Sequence, residues 1–153
     1  MNGSNMPPTR AYLDTNVFLI GINKIDSNSR LILEAAKAGK FLILSSFHVI
    51  NEVDSWFRQN KTREDAFKAL GIIGILTSEI IQHEEIKNLL PIYKNKAPED
   101  DLPHLCAAKA LNADLLVSTN IHFLKEQNII KTLTPKEFVK GVLNLNKYFE
   151  SDG

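Results

Sequence analysis

The sequence predicts an α/β fold, a three-layer α/β/α sandwich around a central, mostly parallel sheet of four to five strands. Three observations support this prediction. Short apolar runs alternate with helical patterns along the chain, which is the element order of parallel βαβ units. Two of the runs, FLIL at residues 41–44 and DLLV at residues 114–117, are apolar almost throughout, as in strands covered on both faces. The 153 residues suit one domain, and 44% of them are hydrophobic, enough for a core without disulfides.

The individual strands and helices are assigned from these patterns in chain order. Strands are predicted at residues 11–13, 41–44, 80–82, 114–117 and 130–133. Helices are predicted at residues 28–38, 47–59, 62–73, 84–93, 101–111 and 134–144. Thr62 and Thr134 begin two of these helices as caps, and Glu137, three residues after Thr134, completes a capping box. Pro91 is expected to end or kink the helix at residues 84–93.

Composition and charge limit the classes of function. The single cysteine, Cys106, excludes an internal disulfide and a cysteine-based zinc cluster, and it fits a reducing compartment. Lys and Arg number 18 and Asp and Glu also number 18, so a nucleic-acid partner would have to be attracted by a local patch. No apolar stretch reaches the ~18 residues of a membrane helix, and the start lacks the apolar core of a signal peptide. We therefore expect no membrane partner, a cytoplasmic location, a flexible leader at residues 1–9, one domain at 10–146 and a frayed tail at 147–153.

Acidic and amide side chains come at the ends of the predicted strands. Asp14 directly follows the first strand, and Glu52 lies within the first two turns of the helix after the second strand. Asp100 and Asp101 begin the helix that leads into the fourth strand, and Asn120 follows that strand. Functional groups of parallel sheets gather beyond the carboxyl ends of the strands, so we expect these side chains to converge.

A divalent cation would explain such a convergence of carboxylates. Asp14, Glu52 and Asp101 have no lysine or arginine beside them in the sequence, so together they would repel one another unless a cation neutralised them. Mg²⁺ prefers oxygen ligands and stabilises charge on a phosphoryl group, so the pattern points to phosphodiester hydrolysis. Taken singly, Asp14 and Asp101 are also typical of turns and helix caps, and Glu52 of a solvated helix face. Only the joint arrangement favours the metal site.

Four segments of the chain, in this order, resemble the PIN-domain family. They are YLDTNVFL, SSFHVINEV, DDLPHLCAAKALNADLLVSTN and LTPKEF, and the resemblance runs from about Arg10 to Leu143. It implies an α/β/α sandwich with an acidic pocket that binds Mg²⁺ or Mn²⁺, and a nuclease directed at single strands, usually of RNA. The chain is also near the size of VapC-type toxins, stand-alone PIN domains that cleave RNA and are silenced by a partner antitoxin. Stand-alone PIN proteins of RNA processing and quality control are the alternative.

The resemblance also implies roles for individual residues. By position, Asp14, Glu52 and Asp101 match the metal-binding acids, and the adjacent Asp100 is the fallback for the third acid. Asn16 matches the polar residue that follows the first acid by two positions.

The end of the fourth strand departs from the family pattern. Many members have an aspartate where this chain has Asn120, whose carbonyl oxygen can coordinate a metal or hold a water but carries no charge. Ser118 stands at the position of the family's threonine and is expected to position a water or a phosphate. Three carboxylates then support one metal ion, and a tightly held second ion is in doubt.

Basic and histidine residues complete the set of candidates. Arg58 and Lys61, with Arg63 and Lys68, cluster near the turn between two predicted helices and could face RNA, although a solvated helical face explains them nearly as well. His104 and His122 could meet a substrate phosphate, but surface or partly buried histidines are the favoured interpretation. His48 and His83 have no special feature, and the four scattered histidines show no zinc-ligand spacing.

Three functions remain open from the sequence. The leading one is a metal-dependent endoribonuclease, and its rival is an RNA-binding module whose pocket has lost efficient chemistry, which Asn120 motivates. A small phosphatase or nucleotide-binding domain is disfavoured, since the 7 glycines form no phosphate-binding loop. The apolar, glycine-containing run at residues 71–76 is hard to bury within one monomer, so we also expect a homodimer.

Overall fold

The computed structural model describes residues 6–120 and 128–151. Within these ranges the strands are β1 Arg10–Leu13, β2 Leu42–Ser46, β3 Thr77–Ile81, β4 Leu115–Val117 and β5 Thr132–Leu133. They form a five-stranded sheet in the order β3-β2-β1-β4-β5, and every neighbouring pair is parallel. Helices flank this sheet, so the predicted three-layer α/β/α fold is confirmed.

The helices in the described ranges are α1 Thr15–Asn23, α2 Asn28–Lys37, α3 Phe47–Asn60, α4 Arg63–Leu76, α5 His83–Ile86, α6 Leu90–Tyr93, α7 Leu102–Ala110 and α8 Pro135–Glu137. Helix α8 begins with the predicted capping box and runs directly into a π-helical segment, Phe138–Val142. None of these helices is long and apolar enough to span a bilayer.

Three local features differ from the predicted elements. Helix α1 was not predicted, because its sequence TNVFLIGIN is apolar almost all round and lacks an amphipathic period. The helix predicted at residues 84–93 is two short helices, and Pro91 lies in the first turn of the second, where its missing N–H costs nothing. Strand β3 begins at Thr77, ahead of the predicted residue 80. The first residues of this edge strand are polar and mostly exposed, so they form no apolar run from which its start could be predicted.

The C-terminal segment is held against α2 as far as Ser151. The buried side chain of Asn28 donates hydrogen bonds to the carbonyl oxygens of Phe149 and Ser151, both at 2.8 Å, and accepts one from the Phe149 N–H. Lys136 adds an ion pair with Glu150 at 2.9 Å. These contacts involve the amide of a single buried residue, which no composition pattern marks. The domain bounds, with a frayed tail at residues 147–153, stay a prediction.

The two helices that follow β1 pack closely at Gly21. A Cβ atom at this position would lie 2.7 Å from Leu33 Cδ1 and 3.0 Å from the Ser29 carbonyl oxygen. Leu33 is itself buried, so the side chain has little room to move. Glycine is therefore required here by the close approach of α1 and α2.

We expect Gly21→Val to lower the free energy of unfolding by about 2 kcal/mol, because the added methyl groups overpack this contact. Gly141→Val, in the exposed part of the segment Phe138–Val142, is the matched control, since a Cβ there meets no atom within 4 Å. Its effect should stay within about 0.5 kcal/mol. Urea unfolding of the two variants measures both values, and equal losses would contradict the close packing at Gly21.

The sheet register brings the ends of three strands together. Tyr12 of β1 pairs with Leu44 of β2, and Leu13 pairs with Val117 of β4. The main chain of Asp14 continues this pairing, since its N–H donates to the Val117 carbonyl at 3.1 Å. The first residues beyond β1 and β4 therefore lie side by side at the carboxyl edge of the sheet.

Candidate active site

Asp14 is the most buried carboxylate at this edge. It is 5% exposed and caps α1, accepting a hydrogen bond from the Asn16 N–H at 2.8 Å. Its second oxygen accepts a hydrogen bond from the Ser118 hydroxyl at 2.5 Å, and that hydroxyl in turn accepts one from the Asn120 N–H at 2.8 Å. The structure thus brings together four predicted site positions, Asp14, Asn16, Ser118 and Asn120. The Asn16 side chain itself is exposed.

Glu52 lies on α3 and is held by residues from two other helices. Its Oε1 atom accepts a hydrogen bond from the Thr15 hydroxyl at 2.5 Å and another from His104 Nε2 at 2.8 Å. Its Oε2 atom lies 3.9 Å from Nε2 of His48, one helical turn earlier on α3. Because Thr15 directly follows Asp14, the Glu52 carboxylate lies next to the Asp14 site.

A chain of hydrogen bonds runs from the end of β2 to Glu52. The Ser46 hydroxyl and the Tyr12 hydroxyl are 2.8 Å apart, and the Tyr12 hydroxyl lies 2.8 Å from His104 Nδ1. A carboxylate can only accept, so Nε2 of His104 donates to Glu52. Burial raises the pKa of Tyr12 far above its usual range, so the phenol keeps the proton that it donates. All three groups behind Glu52 are buried.

The two carboxylates differ in their pKa shifts. Burial raises the pKa of Asp14, the hydrogen bond from Ser118 and the positive potential of His104 oppose this rise, and the charge of Glu52 adds to it. Partial burial also acts to raise the pKa of Glu52, but the hydrogen bonds from His104 and Thr15 outweigh it, and the net shift is downward. In the described ranges no lysine or arginine forms an ion pair with either carboxylate.

The third predicted acid lies at the start of α7. Asp101 occupies the N-terminal cap position, is half-buried, and makes no capping hydrogen bond with its side chain. His104, three residues further along, carries the contact from this helix to Glu52. Asp100 is exposed, and its negative charge acts on His48, where it opposes the lowering of the His48 pKa by burial. A metal-binding role for Asp101 stays a prediction.

The predicted basic patch stands apart from the acids. Arg58 pairs with Asp54 on its own helix at 2.9 Å, and Lys61 follows the last turn of α3. They come six and nine residues after Glu52, or about 9 and 14 Å along the helix axis. The surface beside Glu52 is instead a shallow depression of about 360 Å³, whose other lining residues are Asn51, Ser55, Trp56 and Gln59.

Sequence reasoning missed the residues that hold Glu52. His104 was expected at the surface or partly buried, but it is 4% exposed and hydrogen-bonded on both ring nitrogens. Two spacings could have indicated this cluster, since His48 precedes Glu52 by four residues and His104 follows Asp101 by three, which puts each pair on one helix face. His122 lies outside the described residues. Cys106 is buried in the core as expected, and burial raises its pKa to about 11.

Comparisons with known proteins agree with this fold. No family model matches the chain, and no curated protein matches it in sequence. The structure of VapBC2 from Rickettsia felis bound to a DNA fragment from their promoter contains a chain with 26% sequence identity and a TM-score of 0.59. The match covers 82% of this chain and 98% of the other. This chain has the fold of a VapC-like PIN domain.

A second VapBC structure supports the same VapC-like fold. VapBC-1 from nontypeable Haemophilus influenzae contains a chain with 17% identity and a TM-score of 0.61, covering 82% of this chain and 97% of that one. In general terms the similarity to VapBC proteins supports a nuclease of the PIN type. In this VapC-like domain, Asp14 is the carboxylate that follows the first strand of the sheet.

The donors of this VapC-like domain fit a hard divalent cation. Asp14 and Glu52 supply two carboxylates from neighbouring elements, and Asn120 adds an amide near Ser118. Each Asp14 oxygen accepts one hydrogen bond and keeps a second lone pair for a metal. Glu52 Oε1 already accepts two hydrogen bonds, so Glu52 would coordinate through Oε2. A cation would also offset the cost of burying Asp14 beside the like charge of Glu52.

The burial of Asp14 predicts that its negative charge destabilises the folded protein at neutral pH. Because the pKa of Asp14 is raised in the folded protein, its contribution to stability is present below its ordinary value of 3.8 and is lost as the pH rises through the folded-state value. In EDTA at neutral pH we therefore expect Asp14→Asn, which can still cap α1, to unfold at a higher temperature than the wild type. The difference should vanish around pH 3. Thermal unfolding across this pH range measures it, and the exposed Asp26→Asn variant should show no such trend.

Proposed function

We propose that this chain is a divalent-metal-dependent endoribonuclease that hydrolyses phosphodiester bonds of single-stranded RNA. The observation that carries the proposal is the buried Asp14 carboxylate beside Glu52, at the carboxyl edge of a VapC-like sheet, with no lysine or arginine paired to either in the described ranges. Two like charges held together without a lysine or arginine partner are typical of a site that binds a metal ion.

In the proposed site, Asp14, Glu52 and Asp101 hold Mg²⁺ or Mn²⁺, and Asn120 is an auxiliary ligand. When bound, the cation activates water and stabilises the negative charge that develops on the phosphoryl group. Asp14 and Glu52 are each fixed by two hydrogen bonds from the protein, which keeps their free lone pairs in place. Such fixed orientation lowers the reorganisation needed during the reaction.

The substrate strand is proposed to pass over the surface around these acids. The exposed Asn16 amide lies beside Asp14 and can donate a hydrogen bond to a phosphate. Ser118 donates its hydroxyl proton to Asp14 and so holds that carboxylate beside the substrate, and Asp100 borders the same edge near His48. Trp56, in the depression next to Glu52, offers a partly exposed ring for a base. Arg58 and Lys61 are kept as candidates for contacts further along the RNA, since they lie beyond the depression on α3.

The proposed protein partners are an antitoxin and a second copy of the chain. The VapBC neighbours support a cognate antitoxin and hence a toxin role in the cytoplasm. The dimer is proposed to form through an apolar stripe on α4, which we define as Phe67, Gly71, Gly74 and Ile75. Phe67 is 80% exposed and Ile75 is 85% exposed, and the two glycines between them leave open space.

The direct test of the nuclease is cleavage of RNA by the purified full chain. We expect fragments from a single-stranded RNA with Mg²⁺ or Mn²⁺, intact RNA with EDTA, and little cleavage of a duplex of the same sequence. Recovery of cleavage when Mn²⁺ is added back to the EDTA-treated sample separates metal loss from denaturation. Intact RNA with both metals, from a folded sample, would contradict the proposal.

The rival function is an RNA-binding module without chemistry, and Asn120 is the residue that favours it. An aspartate at this position would supply a further charge, so Asn120→Asp distinguishes the two functions. If the wild type binds RNA but does not cleave it, and Asn120→Asp cleaves it, the binding module is correct. If both cleave at similar rates, the nuclease is correct.

A further inference from the structure

We propose that His48, Glu52 and His104 form a binding site for Zn²⁺ next to the Asp14 carboxylate. One ligand atom from each residue can be chosen so that all lie within 4.8 Å of one another. Two imidazoles and one carboxylate, with a fourth position open to solvent, are the donor set of several zinc sites in enzymes. The proposed nuclease cation, in contrast, uses oxygen donors alone.

The ligands come from two helices in an arrangement that suits one ion. His48 and Glu52 are four residues apart on α3, so both project from the same face of the helix. His104 approaches the same carboxylate from α7, with its Nε2 atom 2.8 Å from Glu52 Oε1. The two imidazole rings have centroids 5.0 Å apart and meet at 72°, and the Nε2 atom of each ring faces a different oxygen of Glu52.

Small adjustments of all three side chains would complete the site, since one ligand atom of each lies within 4.8 Å of the others. Ligand atoms on a tetrahedral zinc are about 3.3 Å apart, given metal–ligand bonds of about 2.0–2.1 Å. The His104–Glu52 distance is already shorter than this, and the His48 Nε2 to Glu52 Oε2 distance of 3.9 Å is slightly longer. The His48 side chain is 38% exposed, so it has room to rotate toward the ion.

The hydrogen bonds behind His104 support metal binding through Nε2. A metal-bound histidine usually donates its other ring N–H to an oxygen acceptor, which fixes the ring. Here Nδ1 faces the Tyr12 hydroxyl at 2.8 Å, and that hydroxyl faces Ser46 Oγ at 2.8 Å, so the Tyr12 proton can turn to Ser46 while Nδ1–H donates to Tyr12. With a proton on Nδ1, the lone pair of Nε2 can face zinc.

This site is distinct from the proposed nuclease function, although the two share Glu52. Zinc held by the two histidines would take Glu52 from the Mg²⁺ site, so we expect Zn²⁺ to inhibit cleavage. That consequence rests on the proposed function, whereas zinc binding itself does not. The test therefore measures binding directly and needs no activity.

Titration calorimetry of the full chain with Zn²⁺ should show one site per chain, and Co²⁺ should give visible absorption bands of a tetrahedral N/O site. We expect His48→Ala and Glu52→Gln to weaken zinc binding by more than about tenfold, because each removes a ligand. Tyr12→Phe keeps the ring packing but removes the acceptor behind His104, and it should weaken binding by about 10–100-fold. Circular dichroism confirms that each variant is folded.

Two matched variants locate the ion. Asp14→Asn removes a neighbouring charge but no zinc ligand, so zinc binding should fall by less than about tenfold. His83→Ala removes an exposed histidine whose charge reaches His48 but which lies outside the cluster, and binding should be unchanged. Zinc binding that is lost with Asp14→Asn and kept with His48→Ala would place the ion at Asp14 and overturn the proposal. Zinc binding that depends on His83, or no zinc binding by the wild type, would also overturn it.

Discussion

Asp14→Asn should lower the rate of RNA cleavage by about a hundredfold or more while leaving the fold intact. The substitution removes the charge that is proposed to hold the metal, and metal-ion stabilisation of a phosphoryl transition state is worth several kcal/mol, at about 1.4 kcal/mol for each factor of ten. Asparagine keeps an oxygen that can cap α1 through the Asn16 N–H, so helix α1 should still form. Cleavage of a fluorescently labelled single-stranded RNA in Mg²⁺ and in Mn²⁺ measures the effect.

The control for this experiment is Asp26→Asn, which removes an exposed carboxylate that follows α1. It should cleave at the wild-type rate, since it changes the net charge equally but lies outside the site. RNA binding by Asp14→Asn, measured by fluorescence anisotropy, should persist. Cleavage by Asp14→Asn at the wild-type rate, in samples free of contaminating nuclease, would show that this carboxylate does not hold the reacting metal.

The fold could be predicted because its strongest signals are local. Strands β2 and β4 are covered on both faces, so their apolar character is visible in a few consecutive residues. Helix α1 and strand β3 gave no comparable signal, because α1 is apolar nearly all round and β3 is an exposed edge strand. In both cases contacts with the rest of the fold decided the element, since α1 is buried in the core and β3 pairs with β2.

The candidate site also has residues whose positions the sequence predicts and residues whose positions it does not. The meeting of Asp14, Ser118 and Asn120 follows from parallel topology alone, because they directly follow strands that are neighbours in the sheet. The position of His104 depends on the rotation of α7 about its axis, which an almost wholly buried helix does not reveal in its sequence. Arg58 is close to Glu52 in sequence, but six residues turn a helix by about 600°, which leaves the two side chains on different faces.

The stripe on α4 should matter for self-association as strongly as Asp14 matters for cleavage. Phe67 and Ile75 are eight residues apart and face the same side of the helix, with Gly71 and Gly74 between them. Adding a Cβ at either glycine meets no atom within 4 Å, so a second helix can approach the backbone closely and bury both apolar side chains. Exposed apolar side chains grouped in this way are typical of an interaction surface.

We therefore expect Ile75→Lys to raise the dissociation constant of the dimer by about thirtyfold or more, since a charge buried in an interface costs at least about 2 kcal/mol. Sedimentation velocity over a range of protein concentrations measures the constant. Ile92→Lys, which changes an apolar residue that is 65% exposed on α6, is the matched control and should leave the constant unchanged. A wild type that stays monomeric at the highest concentrations, or a control that dissociates equally, would mean that a different partner covers α4.

The RNA cleavage rate of the Ile75→Lys monomer separates the dimer proposal from the nuclease proposal. Asp14, Ser118 and Glu52 are hydrogen-bonded within one chain, so the monomer should retain its metal-dependent activity.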